Sequence, residues 1–324
     1  MRGFLATAGE RVLFESSLPW AMELIAEGAG GELGPGDAPG VSLRVRVEAD
    51  RRPFETRDWE VLARGTWRRN GEVVIENACT SGFDLHLCHA REGAEFTYRW
   101  RPPARERAAA RLLRSRFHLL ARAVLMQYPV LWWAGTQGRV PLHASACVTA
   151  LSKPLVTAPS GVGRSTLVVS ELVSGGQATG DNLAVGDGTT IWGLVEPVRV
   201  EGGGGRRMPH GRHEAPLQRR VESLAPDCLV VLERGRLEHS SLSTCSAEAA
   251  ARSLVTSTYM AGELRRYWAF AATLSAATGV GPAHPPVMEV ASAFASGLPC
   301  FSLALGRRSR TRLSELLDAA EVAA

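Results

Sequence analysis

Lysine is almost absent from this chain of 324 residues. Lysine and arginine together number 37, and Lys153 is the one lysine, so 36 of these residues are arginine. Such usage is typical of GC-rich coding DNA. The composition of the DNA can therefore by itself explain an arginine at a motif position where lysine is usual. The formal net charge is only +4. Because no basic stripe interleaved with aromatic residues is present, we expect no nucleic-acid partner.

Closely spaced cysteines and long apolar segments are also missing. The six cysteines include no CxxC pair and no cysteine–histidine pair at zinc spacing, and several lie in apolar runs, as buried free thiols do. The most apolar stretch, 119–135, is interrupted by Arg122 and Pro129 and is too short to span a bilayer. The first residues contain no apolar segment of signal length. We therefore expect a cytoplasmic protein with no membrane partner.

The first hundred residues are predicted to be rich in β-strands. The segment 41–49 alternates apolar and charged residues, as a half-buried strand does. Two hairpins are predicted, with turns at Asn70-Gly71 and at 91–93. Together these strands predict a small antiparallel sheet. The segment 103–126, rich in Ala, Leu and Arg, then predicts a connecting helix that ends at Pro129.

The remainder of the chain mixes strands and helices. We therefore predict two parts: a β-rich part with its connecting helix at 1–135, and an α/β domain at 136–324. Strands are predicted at 140–150 and 154–159, and a helix runs from about Gly163 to Ser174. Later helical stretches are predicted at about 246–278, 285–296 and 309–322.

The stretch "APSGVGRST", residues 158–166, has the pattern of a phosphate-binding loop between a strand and a helix. In such loops several backbone N–H groups and a helix N-terminus point at one anion. Two positions depart from the usual motif: Ala158 replaces the first glycine, and Arg164 replaces the lysine. The alternative is a plain glycine-rich turn. The predicted nucleotide-binding residues are Ser160, Gly161, Val162, Gly163, Arg164, Ser165 and Thr166.

Acidic residues that follow the loop could complete such a site. Asp181, in "TGDNLAV", comes one short helix and a Gly-Gly turn after the loop. A carboxylate there could hold Mg²⁺ or act as a general base, and the alternative is an Asp-Asn turn at a strand end. Glu233, which closes the apolar strand "CLVVLE", is a lower-ranked competitor for the acidic role.

Basic and histidine residues supply further candidates. His143, in "PLHASA", would alone be a packed or surface histidine more often than a catalytic one. The segment 201–214 is rich in glycine, arginine and histidine, which is typical of a solvated loop. Such a loop could also close over phosphates or an anionic substrate. The substrate-loop candidates are Arg199, Arg206, Arg207 and His210.

Taken together, "PLHASACV", "VTAPSGVGRSTLVVSEL" and "ATGDNLAV" resemble the HPr kinase/phosphorylase-like family in order and spacing. Members of that family show a histidine-containing strand, a Gly-x-Gly-Lys-Ser/Thr loop and an Asp-Asp pair. The resemblance covers roughly 136–308 and includes the segments "WGLVEPVRV", "LVVLERG" and "SGLPCFSLALG".

The resemblance implies an α/β fold with an HPr kinase-like P-loop core related to PEP carboxykinase, and a smaller N-terminal β-rich domain joined by a helix. It implies transfer of a phosphoryl group from ATP, or another nucleoside triphosphate, with Mg²⁺. The acceptor would be a hydroxyl of a peptide, protein or small molecule, in some relatives within biosynthetic clusters. By position, Asp181 would be the catalytic base and His143 would lie near the transferred phosphate. The Mg²⁺ ligands would be Ser165, Asp181 and Asn182.

Two departures from the family pattern keep alternatives open. Arg164 stands for the loop lysine, and Asn182 stands for the second aspartate. On the leading hypothesis Arg164 clamps the γ-phosphate during transfer. The rival hypothesis is a non-catalytic relative that binds a nucleotide or a partner through a degenerate loop, and a third is a binding module whose loop stays empty. HPr kinases form hexamers, so a homo-oligomer is also open.

Overall fold

The computed structural model describes residues 1–36, 39–90, 93–200, 208–209, 211–235, 238–306 and 312–317. The chain divides into two compact units, each described by itself below. The first unit comprises Met1–Gly138, Gly205–His213 and Arg266–His284. The second comprises Arg139–Gly204, Glu214–Arg265 and Pro285–Ala324. Both contain helices and sheets, so the protein is of the α/β class.

The first unit is built on an eight-stranded sheet of order β1-β2-β3-β8-β7-β6-β5-β4. The sequence predicted a small antiparallel sheet, but β2 pairs with β3, and β3 with β8, in parallel, so the sheet is mixed. The parallel step from β2 to β3 needs a crossover, and helix α1 lies in that connection. The strands are β1 (Arg2–Thr7), β2 (Glu10–Ser16), β3 (Leu43–Glu48), β4 (Glu60–Ala63), β5 (Thr66–Arg69), β6 (Glu72–Ile75), β7 (Phe83–Ala90) and β8 (Gly93–Trp100).

The turn chemistry of this sheet follows the sequence closely at one hairpin. Asn70 and Gly71 join β5 to β6 with φ angles of 51° and 81°. Two successive positive φ values are those of a type I′ turn, which confirms the predicted hairpin. The strand predicted just before it is split in two, because a second turn at Arg64-Gly65 separates β4 from β5.

The connecting helix predicted at 103–126 is interrupted and longer than expected. Leu113 leaves helical geometry (φ −116°, ψ 50°), and a π-helical segment spans Ala123–Gln127. Pro129 does not end the helix, because it lies in the first turn of α4, where proline is tolerated. The helices of this unit are α1 (Pro19–Gly28), α2 (Ala104–Leu112), α3 (Arg114–Arg122), α4 (Tyr128–Thr136) and α7 (Tyr267–Thr278), with a 3₁₀ turn at Ala78–Thr80.

The second unit contains a six-stranded sheet of order β12-β10-β11-β18-β20-β19, a four-stranded sheet of order β17-β14-β13-β9, and the pair β15-β16. The strand predicted at 140–150 is two strands, β9 and β10, which belong to different sheets. The strands are β9 (Val140–Leu142), β10 (Ala144–Val148), β11 (Pro154–Thr157), β12 (Gln177–Ala178), β13 (Ala184–Gly186), β14 (Ile191–Gly193), β15 (Val198–Val200), β16 (His213–Ala215), β17 (Ser223–Leu224), β18 (Cys228–Arg234), β19 (Ser241–Thr244) and β20 (Cys300–Leu305).

The parallel strands β11, β18 and β20 form the core of the second unit. Val156, Val230 and Leu303 pack on one face of the sheet together with Leu167. The stretch predicted as helical at 246–278 is not one continuous helix. Its first helix ends before Ala261, where the backbone is extended with a ψ of 120°. The helices of this unit are α5 (Arg164–Val173), α6 (Ala247–Met260) and α8 (Val287–Gly297), with a 3₁₀ turn at Gly262–Leu264 and a helical turn at 313–317.

Among the described residues, no helix has both the length and the apolar character that crossing a membrane requires.

Candidate functional site

The loop 158–163 joins β11 to α5, so the strand–loop–helix order of the predicted phosphate loop is present. Gly161 and Gly163 have φ angles of 83° and 131°, which favour glycine. A Cβ on residue 163 would also lie 2.9 Å from Leu305 Cδ1. Ser160 and Gly161 are exposed. Since the first N–H groups of a helix have no intrahelical acceptor, the N-terminus of α5 can receive an anion there.

The other predicted phosphate contacts lie in the same segment. Val162 is half-buried and packs against the apolar core of the unit. Ser165 is half-buried and Thr166 is exposed, both in the first turn of α5. The loop is therefore open on the side of Ser160 and Gly161, and closed on the side of Val162.

Arg164, the first residue of α5, points into the protein, and only 6% of its surface is exposed. Its Nη1 donates to the His143 carbonyl at 2.8 Å, and its Nε donates to the Asp181 carbonyl at 3.2 Å. Its Nη2 lies 2.9 Å from Asn182 Oδ1 and 2.8 Å from His143 Nε2, and can donate one N–H to each. The guanidinium thus brings together the loop, His143, Asp181 and Asn182.

His143 lies where the chain passes from one sheet to another, between β9 and β10. The imidazole is buried, with Nδ1 2.7 Å from Ser257 Oγ and Nε2 facing Arg164. Because a guanidinium can only donate, Nε2 accepts and Nδ1 carries the proton. Burial, and then the Arg164 charge, lower the pKa of His143 to about 3, so the ring is neutral at pH 7.

Ser257, on α6, connects this histidine to the loop. Its Oγ accepts a hydrogen bond from the Nδ1–H of His143 and donates one to the carbonyl of Ala158 at 2.6 Å. Thr258 Oγ1 accepts from the backbone N–H of His143 at 3.1 Å. The sequence did not indicate either hydroxyl, because both lie more than ninety residues after the loop in an ordinary helical pattern.

Asp181 lies between β12 and β13 and is fully buried. Its Oδ2 accepts from the Arg199 backbone N–H at 3.3 Å. Its Oδ1, and the Nδ2 of Asn182, have no hydrogen-bond partner among the described residues. Buried polar atoms are rarely left unpaired in proteins. This acceptor and this donor are therefore two enclosed groups whose hydrogen-bonding capacity the described residues leave unused.

Three further charged groups surround Asp181. Arg199, on β15, forms a half-buried ion pair with Glu263, with Nη2 2.6 Å from Oε1. Burial alone would raise the pKa of Glu263, but Arg199 lowers it to about 2. Glu196 is buried and accepts from the Leu183 N–H at 2.8 Å, and its burial raises its pKa to about 8.

The carboxyl groups of this cluster are thus held in different protonation states. Glu196 is mostly protonated at pH 7, whereas Glu263 is ionised beside Arg199. Sequence analysis did not identify Glu196 or Glu263. The glutamate inside the apolar run "WGLVEPVRV" was a usable signal for Glu196, and Glu263 had none.

The predicted substrate loop is only partly described. Arg199 belongs to the half-buried ion pair with Glu263, and 21% of its side chain is exposed. Arg206, Arg207 and His210 lie outside the described residues.

The lower-ranked acid, Glu233, lies near the end of β18, beside the loop strand β11, and is exposed. The next residue, Arg234, donates from Nη2 to the carbonyl of Gly161 at 2.6 Å. An exposed cation therefore contacts the loop itself, whereas the cation of Arg164 lies beneath it.

Comparison with known proteins gives matches only among solved structures. No family model and no curated protein matches this chain. Among solved structures, the chain is similar to the HPr(Ser) kinase/phosphatase from Coxiella burnetii, with a TM-score of 0.23 and 17% identity over 29% of this chain. The chain spans 65% of the length of that structure's chain. The functional inference therefore rests on the geometry of the described residues.

Proposed function

We propose that this protein binds a nucleoside triphosphate at 158–166 and transfers its terminal phosphoryl group to a hydroxyl of a peptide, protein or small molecule. One observation carries the proposal: Arg164, the residue that begins α5, is hydrogen-bonded to His143, Asp181 and Asn182. A glycine-rich turn that only joined a strand to a helix would not require a buried polar cluster directly beneath it.

The loop supplies the phosphate contacts in this proposal. The backbone N–H groups of 160–166 and the N-terminus of α5 would hold the phosphates, as helix N-termini commonly do. Arg234, in contact with Gly161, adds an exposed positive charge at the loop. A positive charge at this position would stabilise the negative charge of a bound polyphosphate.

Asp181 is the proposed general base. In the transfer, the acceptor oxygen bonds to the terminal phosphorus while the bond from that phosphorus to the bridging oxygen breaks. The electron pair of the broken bond leaves with the nucleoside diphosphate, and the proton of the acceptor hydroxyl passes to the Asp181 carboxylate. Oδ1 is the oxygen available for that proton, because Oδ2 already accepts from Arg199.

The residues present fit a bound Mg²⁺. As an alternative to its role as the base, Asp181 would offer Mg²⁺ the anionic oxygen Oδ1, and Ser165 would offer a hydroxyl in the first turn of α5. Asn182 Oδ1 is a weaker candidate, because it already accepts from Arg164. When bound, the ion would neutralise the charge of the phosphates.

Arg164 has a different role here from the one expected from the sequence. A clamp on the γ-phosphate needs N–H groups that point at the phosphate, whereas four N–H groups of Arg164 have protein acceptors. We therefore assign Arg164 as a positioning residue that fixes the backbone of Asp181 and the side chains of His143 and Asn182.

The test is phosphate transfer from γ-labelled ATP with Mg²⁺, to water, free serine and serine-containing peptides. Asp181→Asn should lower the rate by about 100-fold or more, the usual loss for a general base. Glu233→Gln is the matched control, an exposed acid of the same unit, and should keep the wild-type rate. Equal rates for Asp181→Asn and wild type, with both proteins folded by thermal melting, would overturn the assignment.

The second candidate is a protein that binds a nucleotide without transferring phosphate. The enclosed guanidinium of Arg164 favours it, because that cation is held by protein atoms beneath the loop. This candidate predicts that ATP raises the melting temperature while no labelled phosphate reaches any acceptor. No shift with ATP or other nucleoside triphosphates would exclude both candidates.

A further inference from the structure

A second polar cluster lies in the first unit, well apart in the sequence from the loop. It consists of Glu72 on β6 and of His86 and Cys88 on β7. Because successive side chains of a strand alternate between faces, His86 and Cys88 share one face of the sheet. Apolar neighbours on β7, such as Leu85 and Leu87, are buried on the other face.

The side chains of Glu72 and Cys88 both lie close to one atom, Nε2 of His86. His86 Nε2 lies 2.8 Å from Glu72 Oε2 and 3.4 Å from Cys88 Sγ. A neutral imidazole nitrogen has either one proton or one lone pair, so it can form only one good hydrogen bond. Without a metal, Nε2–H can donate to Glu72 and the Cys88 thiol can donate to the same carboxylate; with a metal ion among them, one atom of each residue would instead act as a ligand.

The spacing of these atoms suits a tetrahedral metal. Ligands about 2.1 Å from a tetrahedral zinc ion lie about 3.4 Å from one another. The potential ligand atoms of Glu72, His86 and Cys88 all lie within 4.8 Å of one another. The separations range from 2.8 Å to at most 4.8 Å and so lie on both sides of this value, and binding would need shifts of up to about 1 Å in side chains that are not fully buried.

The surroundings fix the imidazole and add negative charge. The rings of Phe54 and Trp59 lie 5.4 and 5.8 Å from that of His86. Glu95 is opposite Cys88 on β8. Glu95 is not counted as a ligand, because it is paired with Arg46 at 3.0 Å.

We propose that Glu72, His86 and Cys88 form a zinc site with a fourth position open to water or an external ligand. Thiolate, imidazole and carboxylate are all zinc ligands, and three protein ligands with an open position are the arrangement of reactive rather than purely structural sites. On binding, the Cys88 thiol loses its proton to solvent and Nε2 of His86 supplies its lone pair. The proposal does not depend on the phosphotransferase proposal.

The experiment uses the full chain, stripped of metal with a chelator and titrated with Zn²⁺ against a chromophoric competitor. Co²⁺ is then titrated as a spectroscopic substitute. We expect one equivalent of Zn²⁺ and a thiolate-to-cobalt charge-transfer band. Cys88→Ser should abolish that band, and Glu72→Gln should weaken zinc binding by about tenfold or more. His89→Ala, on the opposite face of β7, and Cys79→Ser are controls that should bind like wild type.

Two results would overturn the proposal. One is a wild-type chain that takes up less than one equivalent of zinc. The other is a charge-transfer band that survives in Cys88→Ser but is lost in Cys79→Ser. Glu72→Gln keeps the proposal testable if Cys88→Ser does not fold, because an exchange of a half-exposed carboxylate for its amide preserves volume. Unchanged zinc affinity in Glu72→Gln would then count against it.

Discussion

Arg164 donates hydrogen bonds to atoms of three other residues, and these atoms are fixed in directions that match a planar guanidinium. Two of the acceptors are the backbone carbonyls of His143 and Asp181, which belong to different connections of the second unit. A lysine ammonium is a compact group with three donors and no planar fork. It could not satisfy all these acceptors from the same position.

Arg164→Lys should therefore destabilise the protein. At least two buried acceptors would lose their donors, at about 1–2 kcal/mol each, so the free energy of unfolding should fall by roughly 2–4 kcal/mol. Chemical unfolding measures this change. Arg234→Lys, an exposed arginine of the same unit, should change it by less than about 0.5 kcal/mol. If Arg164→Lys left the midpoint of chemical unfolding unchanged and raised the rate of phosphate transfer, the arginine would be a neutral replacement of the usual lysine.

Glu196 gives the stability of this cluster a defined pH dependence. Its pKa is about 8 in the folded protein and near 4.5 when unfolded, so between these values the folded state binds the extra proton. Stability from this group is complete below pH 4.5 and is lost as pH rises through 8. His143 acts in the opposite sense between pH 3 and 6.5, because its folded pKa is lowered.

The window from pH 6.5 to 8 therefore separates Glu196 from His143. In this window the wild-type free energy of unfolding should fall by about 1 kcal/mol per pH unit. Glu196→Gln cannot titrate, so it should show a flatter slope, whereas Glu233→Gln, which removes an exposed acid, should keep the wild-type slope. Parallel slopes for wild type and Glu196→Gln, measured by denaturant titration across this window, would contradict the assignment of a protonated Glu196.

At the scale of elements, the loop and its two glycines set the start of α5. Gly163 combines a φ of 131° with the close approach of Leu305, so the backbone can follow this path only without a side chain. The helix N-terminus, and with it the direction of Arg164, depends on this path. The loop and the buried cluster are thus coupled through one residue.

Gly163→Ala should lower the free energy of unfolding by more than about 1 kcal/mol, the usual cost of a strained backbone angle. It should also weaken nucleotide binding, because the N–H groups of the loop would be displaced. Gly297→Ala, at the end of α8, meets nothing within 4 Å and should be nearly neutral. Thermal melting with and without ATP measures both effects. Equal melting temperatures for the two variants would show that the loop path is not constrained.

Elements with a strong local signal were predictable from the sequence, and those set by tertiary pairing were not. The Asn70-Gly71 hairpin followed from turn chemistry alone. The break at His143 did not, because "VPLHASACV" is mostly apolar without a turn signal, and only pairing with two different sheets divides it. The sequence also predicted that the loop, His143 and Asp181 share a region, and the structure brings them together. It could not predict Ser257 or Glu263, whose contacts depend on the packing of α6 and the turn after it.

At the scale of the whole molecule, each of the two units carries its own polar cluster. The cluster of Glu72, His86 and Cys88 lies entirely in the first unit, and the cluster around Arg164 lies entirely in the second. The two proposed ligands, zinc and a nucleoside triphosphate, are therefore expected to act on different parts of the chain.

Hydrogen exchange can map these two responses separately. ATP should slow exchange in the second unit at 158–183, and zinc should slow exchange in the first unit at 72–88, because a ligand stabilises the state that binds it. Each ligand serves as the control for the other. Protection by ATP at 72–88, or by zinc at 158–183, would show that the assignment of each ligand to one unit is wrong.

The acceptors around Arg164 also limit which side chains the predicted phosphate-binding loop can carry at position 164. A lysine there would leave the carbonyls of His143 and Asp181 without donors, so the residue that is usual in such loops is unfavourable in this chain. The loop and the cluster beneath it therefore form one hydrogen-bonded unit, and neither can be exchanged for the usual motif without the other.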